Sequence, residues 1–426
     1  MTWTPRWLLI PLLLLALGLG ACAGPVGSTP SPSITVTPPQ APATLTSTPA
    51  PPTVFRVWLP PSFDPNADHP AANLLRERLE AFAHAEGLAL DVRLKRVDGP
   101  GGMLPTLTDA ELVAPDAVPT VLLLPRWALE SAALKGLLTP FGLLPQASFS
   151  GGQGAMCPFA VGLGQVQGVT YGLLVGGEAF VMLHPPDAFA EGVPATWDDL
   201  VANASLPWRW AAGDPQARLL LGAYRAAGGP LRTAEGRPTL DPTVLTSILG
   251  DFAQLAQRGL LVPALLDLTT DQAAWEYYGQ SPSALLFLPQ TYALREETPW
   301  QIALIPGAEV RGWAWADGYL WAVPRQTQPR LALAGRWLAQ MNDPAFLAPW
   351  TEALGLLPPN QATLAQWQQH DRATTLETIA SYATPLPSMD LLTTLGPVLQ
   401  EALAQVLQGS SPEEAAQQAV QALPAP

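Results

Sequence analysis

Val54-Phe55-Arg56-Val57-Trp58-Leu59, followed by the helical spacing of Leu75, Leu79, Phe82 and Glu86, decides the fold of this chain. The hexapeptide is β-branched and aromatic, which reads as a strand. The spacing that follows predicts an amphipathic helix over about 71–86, stopped by Gly87. Next, Leu88, Leu90, Val92 and Leu94 alternate with Ala89, Asp91, Arg93 and Lys95, the pattern of a half-buried strand. Asp98-Gly99-Pro100-Gly101-Gly102 breaks the chain. A helix near 106–113, an apolar strand over 118–124 and a helix over 127–135 come after it. Strands alternating with helices in this order make an α/β lobe on a mostly parallel sheet.

Further along, Thr196-Trp197-Asp198-Asp199 fits a helix start, with Thr196 as N-cap and negative charge in the first turn. Helices are expected at 215–227, 242–258 and 270–278, and strands at 284–288, 301–305 and 318–322. Helices at 329–341 and 344–353 follow, and the last hundred residues are mainly helical, ending at 412–423. No internal repeat of fixed period is present. From Val54 to the end there are about 370 residues, more than one hydrophobic core usually serves, so two lobes are expected.

The N-terminus reads differently. Arg6 precedes an apolar run over 7–21 that carries Pro11 and ends in Leu19-Gly20-Ala21-Cys22. A membrane span needs roughly 18 or more apolar residues, so residues 1–21 read as a secretory signal. Leu19-Gly20-Ala21-Cys22 resembles a bacterial lipobox, which implies a lipidated Cys22 at the mature N-terminus. An ordinary signal peptide with an incidental cysteine is the alternative. Residues 23–53 hold no charged residue and are rich in Pro, Thr and Ser, a composition that makes an extended tether. At about 3.1 Å per residue, such a tether reaches up to ~100 Å.

Composition narrows the partners. Hydrophobic residues make up 48%, so the body folds, and the net charge of −14 argues against nucleic acid and against docking on anionic lipid heads. With Cys22 assigned to lipid, Cys157 stands alone, flanked by apolar residues, and reads as a buried, inert thiol. His69, His84, His184 and His370 stand singly, with no spacing for a metal site. There is no nucleophile elbow and no phosphate loop, and Gly162, Gly164 and Gly168 read as a loop of small residues. Asp198-Asp199 and Glu296-Glu297 are paired carboxylates of the kind a glycosidase uses, but adjacent residues diverge and capping explains the first pair better. No cofactor is implied.

Taken in order, the segments resemble the carbohydrate-type extracellular solute-binding proteins of ABC importers, the family that includes maltose-binding protein. The first strand, the helix ending in Glu86-Gly87 and the alternating strand look like that family's opening. Val118–Leu124 resembles one of its strands, with Thr120 where an Asp is usual. Leu134-Lys135-Gly136-Leu137-Leu138-Thr139-Pro140, the hinge-entry strand at Tyr171-Gly172-Leu173-Leu174-Val175 and the turn Pro194-Ala195-Thr196-Trp197-Asp198-Asp199-Leu200 match further pieces. Segments beginning at Ser283, Ile302 and Gly318 follow in the expected order, and residues 406–416 resemble the final helix. Where the family continues to an aromatic–Asn pair, this chain has Leu183-His184-Pro185-Pro186.

The resemblance implies an α/β, two-lobed periplasmic-binding-protein-like fold of type II, each lobe a central β-sheet flanked by helices, with hinge strands between lobes. The expected lobes are 54–175 with 299–322, and 176–298 with 323–423. It implies a membrane-anchored, extracytoplasmic, monomeric binding protein, not an enzyme. Its role would be to capture a sugar or oligosaccharide and deliver it to ABC permease subunits. An anchored carbohydrate-active enzyme, or a binding fold used for sensing or adhesion, is the alternative. Aromatic rings suit sugars because the apolar face of a pyranose stacks on them. By position, Trp58, Trp275, Tyr277, Tyr278, Trp313 and Trp315 are the ligand-binding candidates, with Asp317 and Glu276 as hydroxyl acceptors.

Overall fold

The computed structural model describes residues 53–114, 117–145, 156–279, 283–294, 299–308, 312–367 and 370–424. The signal segment, Cys22 and all of the tether but Thr53 lie outside the described residues.

Nine strands form one twisted sheet that runs through both lobes. β1 (Val54–Leu59) pairs in parallel with β2 (Ala89–Leu94) and with β3 (Val121–Pro125). A separate two-stranded hairpin, β4 (Gln165–Val166) and β5 (Val169–Thr170), precedes the long β6 (Gly172–His184). The second lobe adds β7 (Trp208–Arg209), β8 (Leu285–Pro289) and β9 (Gln301–Ala303), all on or beyond the far half of β6. β10 (Ala314–Ala322) then returns antiparallel to β6 and joins β3, and β11 (Ala383–Pro385) pairs with the start of β10. The order is β2-β1-β3-β10-β6-β8-β7. Thus β6 and β10 are the crossings between lobes.

The crossing is built from glycine. Gly176 and Gly177 lie opposite Tyr319 and Gly318, next to a register shift at Tyr319/Leu320. A Cβ on Gly318 would meet the Gly176 carbonyl oxygen at 2.7 Å, so no larger residue lets the two strands approach this closely. Gln290, fully buried after β8, braces the spot. Its carboxamide donates to the carbonyls of Gly177 (3.2 Å) and Gly355 (3.1 Å) and accepts from the Ala179 N–H. A buried amide satisfied on three sides fixes strand positions that apolar packing alone would let slide.

In the first lobe, Phe55 packs edge-on against Phe82 of the helix Pro70–Ala85 and at a tilt against Trp337, with centroids 4.7 and 5.2 Å apart. Each such ring contributes about 1.5–3 kcal/mol by burial. Trp337 and Trp350 belong to helices Gln328–Met341 and Pro344–Leu354, which pack on the first-lobe strands. The expected boundary had put 323–423 in the second lobe. The reason for the difference is topological: β10 runs from the second lobe to the first, so the chain leaves Ala322 on the first-lobe side. Only after β11 does it re-enter the second lobe, where helix Met389–Leu407 packs on Leu245, Leu249 and Phe252. Likewise β9, expected in the first lobe, pairs with Met182–His184 at the far end of β6.

Among the described residues no helix is long and apolar enough to cross a membrane. Thr196 caps its helix as its sequence predicts, accepting from the Asp199 N–H at 3.1 Å. Cys157 is buried, and burial pushes its thiol up to about 11. The small-residue stretch expected as a loop is instead a short helix, Pro158–Gly164, followed by the β4–β5 hairpin.

Candidate functional site

Strand β3 ends at Pro125, and the chain turns directly into helix Arg126–Leu134. The carboxyl ends of parallel strands are where open α/β sheets place ligand-facing residues. Here the end of β3 opens onto a cavity of about 850 Å³. Its first-lobe wall holds Arg126, Trp127, Glu130 and Leu134, and the hairpin adds Val166 and Gln167. Its second-lobe wall holds Arg232, Gly236, Ser388, Met389 and Asp390. The cavity therefore lies between the lobes.

Arg126 is held by one bond, from Nη2 to the Gln165 carbonyl at 2.9 Å. Its Nη1 stands 3.4 Å from Glu130 Oε2, an ion pair without hydrogen-bond geometry. Both Nε and Nη1 are buried with no acceptor among the described residues. A guanidinium presents its donors in a fixed fork, and buried donors left without an acceptor cost stability. Burial pulls its pKa down from the ordinary arginine range, opposed by Glu130 and Asp317.

Glu130, only 8% exposed, reaches across the cavity. Its two carboxylate oxygens stand 3.3 and 3.4 Å from the backbone N–H of Met389. That N–H opens the 19-residue helix Met389–Leu407, which no side chain of its own caps. A first-lobe anion thus sits at the positive end of a second-lobe helix. Beside it, Arg232 donates to Asp390 (2.7 Å) and Ser388 Oγ (2.9 Å). The charged lining is two cations, Arg126 and Arg232, and two anions, Glu130 and Asp390.

At the strand crossing, Asp317 stands directly across from Glu178 in the ladder. Burial raises the Asp317 pKa, while the Gly318 N–H at 2.7 Å and the charges of Arg218 and Arg126 pull it back. One arginine comes from each lobe. Arg218 itself donates to Asp214 (2.9 Å) and with Nη2 to both oxygens of Asp271 (2.8 Å). Burial depresses its pKa, but the two carboxylates more than offset that and hold it above the ordinary value.

None of the six aromatic candidates is among the residues lining the cavity. Trp58 is buried in the first-lobe core beneath the Lys95 ammonium, which lies 4.9 Å from its ring centroid. Trp275 is buried against Tyr292. Tyr277 is 74% exposed and meets Tyr278 edge-on, and Tyr278 lies beneath Arg209. Trp313 packs on Gly222 and, at 6.0 Å, on Trp315, which donates to the Arg218 carbonyl at 3.2 Å. Trp315 is the candidate that comes nearest the crossing, two residues before Asp317 on the same strand face. Glu276 accepts from Gln272 on an exposed helix face. The family's aromatic–Asn position falls at His184, buried at the far end of β6 with its pKa lowered by burial.

The sequence pattern puts 127–135 on a helix but does not mark Arg126 and Trp127 as cavity residues. The available signal was their position, immediately after a fully apolar strand of a parallel sheet.

A profile of bacterial extracellular solute-binding proteins matches residues 77–375. A comparison with curated protein sequences returns no match. Among solved structures, the chain is similar to a cyclo/maltodextrin-binding protein complexed with maltotetraose, at 18% identity and a TM-score of 0.62 over 88% of this chain and 97% of that one. It is similar to the cyclic α-maltosyl-1,6-maltose binding protein from Arthrobacter globiformis, at 16% identity and a TM-score of 0.65 over 87% and 98%. It is also similar to the Thermus thermophilus maltotriose binding protein, at 18% identity and a TM-score of 0.60 over 86% and 98%.

Proposed function

Because the chain belongs to the bacterial extracellular solute-binding protein family, we propose that it captures an uncharged, hydroxyl-rich solute, a sugar or oligosaccharide, in the cavity between its lobes. The observation that carries this reading is the pairing of a charge-balanced lining with the two empty donors of Arg126. A net-neutral cavity gives an ion no net attraction, whereas a sugar hydroxyl accepts from a guanidinium and donates to a carboxylate in the same site. The half-buried Trp127 beside Arg126 offers a ring on which a pyranose face stacks. A volume of about 850 Å³ lies within the range of small-molecule sites.

Capture then works by closure. Solute that touches both walls favours the closed lobes only by its difference in affinity between closed and open forms. The Glu130–Met389 contact already joins the walls, so less of that difference is needed. The glycine crossing braced by Gln290 is where the backbone bends. In this reading the closed protein is presented to an ABC permease and turns nothing over. Cys22 carries the lipid, and residues 23–53 let the body swing outside the membrane.

The test is a thermal-shift and titration-calorimetry panel on the mature chain with maltotriose, maltotetraose, acarbose and tagatose. The expected result is saturable binding with a raised midpoint, since ligand at 100 times its Kd adds about 2.7 kcal/mol. If none of these shifts the midpoint or gives heat, the sugar reading fails.

A further inference from the structure

Two described residues other than glycine have a positive φ: Gln167 and Ala217. Gln167 is the first residue of the two-residue turn joining β4 to β5, with φ +51° and Gly168 following at +78°. Two positive φ values in a two-residue hairpin define the turn that matches strand twist, and Asn-Gly is the pair that suits it. Glutamine gains none of asparagine's local hydrogen bonding there, and a non-glycine residue in this region costs roughly 1–2 kcal/mol. Such strain is kept where the side chain is needed.

The side chain has no structural duty to explain its presence. Gln167 is exposed, and its carboxamide makes no hydrogen bond among the described residues. It lines the cavity from the first lobe, with Arg232 and Gly236 on the wall opposite. The hairpin is anchored to the same site, because the Gln165 carbonyl is the one acceptor of Arg126. The turn therefore holds Arg126 with its backbone and presents a donor–acceptor amide with its tip.

We propose that Gln167 is a specificity-determining residue of the cavity, reading solute hydroxyls at its mouth. This rests on the cavity being the solute site. An amide both donates and accepts, so it engages a hydroxyl in either sense, which suits one end of a sugar chain that extends past Arg126.

Gln167→Asn and Gln167→Gly both suit the left-handed backbone, so they separate the turn's stability from its contact. Each is titrated by calorimetry with whichever of maltotriose, maltotetraose, acarbose and tagatose binds the parent chain, and melted without ligand. The expected result is an equal or higher melting temperature with affinity weakened about fivefold, the size of one neutral hydrogen bond. Affinity within twofold of the parent in both variants overturns the inference while leaving the cavity reading intact. A lower melting temperature in both overturns the strain argument. If the parent binds none of the four sugars, the inference falls together with the cavity reading.

Discussion

Arg126 and Arg218 are both buried guanidiniums, one in each lobe, and both act on Asp317, yet their partners differ completely. Arg218 spends its donors on Asp214 and Asp271 and lies over the Phe180 ring at 4.9 Å. Arg126 has a single carbonyl, an ion pair with Glu130 at 3.4 Å, and two buried nitrogens without a hydrogen bond among the described residues. A fully paired buried cation is a structural part, because removing it strands two anions. A partly paired one keeps donors to spare, which is why the proposed solute is placed beside Arg126. The same residue type thus does opposite work according to the acceptors within reach.

The largest expected effect tests the structural half of that contrast. Arg218→Met leaves Asp214 and Asp271 buried without their cation, which should cost about 3–5 kcal/mol. Denaturant unfolding measures it, and a loss below about 1 kcal/mol would remove Arg218 from the framework.

A smaller effect comes from Asp317, where the two arginines meet. Its folded pKa is raised, with burial the leading cause, so the stability it contributes is fully present below the unfolded value of about 3.9 and is lost as pH rises through the raised folded value. Asp317→Asn does not titrate. Its melting temperature should match the parent's in acid and exceed it at neutral pH. A gap that shrinks as pH rises would show that the arginines, not burial, dominate at the crossing.

Much of the fold is legible in residue pattern because local rules and tertiary packing agree there. Val54–Leu59, the helix after it and the alternating strand Ala89–Leu94 fall within a residue or two of expectation. Thr196 and Thr270 cap their helices as their residue type predicts. The 13 residues of β6 are harder, since a strand buried on both faces shows no alternation, and its paired glycines look like a break. Lobe membership of 328–354 depends on the direction in which β10 crosses, a long-range fact with no local signature.

The site was less legible. Sugars stack on rings, yet a ring's residue type does not tell where it sits: Trp58 and Trp275 are core packing and Tyr277 faces solvent. What marks the cavity is the absence of partners around Arg126 and the tilt of one turn at Gln167, and neither is written in residue type. Trp127 comes just after β3, where an open α/β sheet presents side chains to its ligand crevice.

The contrast between the two arginines is tested most directly at Arg126. Calorimetric titration of Arg126→Met, with the sugar that binds the parent chain, should show affinity weakened tenfold or more, in line with hydrogen bonds to a charged donor. Without ligand its melting temperature should fall less than that of Arg218→Met, because it loses one carbonyl bond and one 3.4 Å ion pair rather than two hydrogen-bonded carboxylates. Unchanged affinity would contradict the placing of solute beside Arg126 and move the site elsewhere between the lobes.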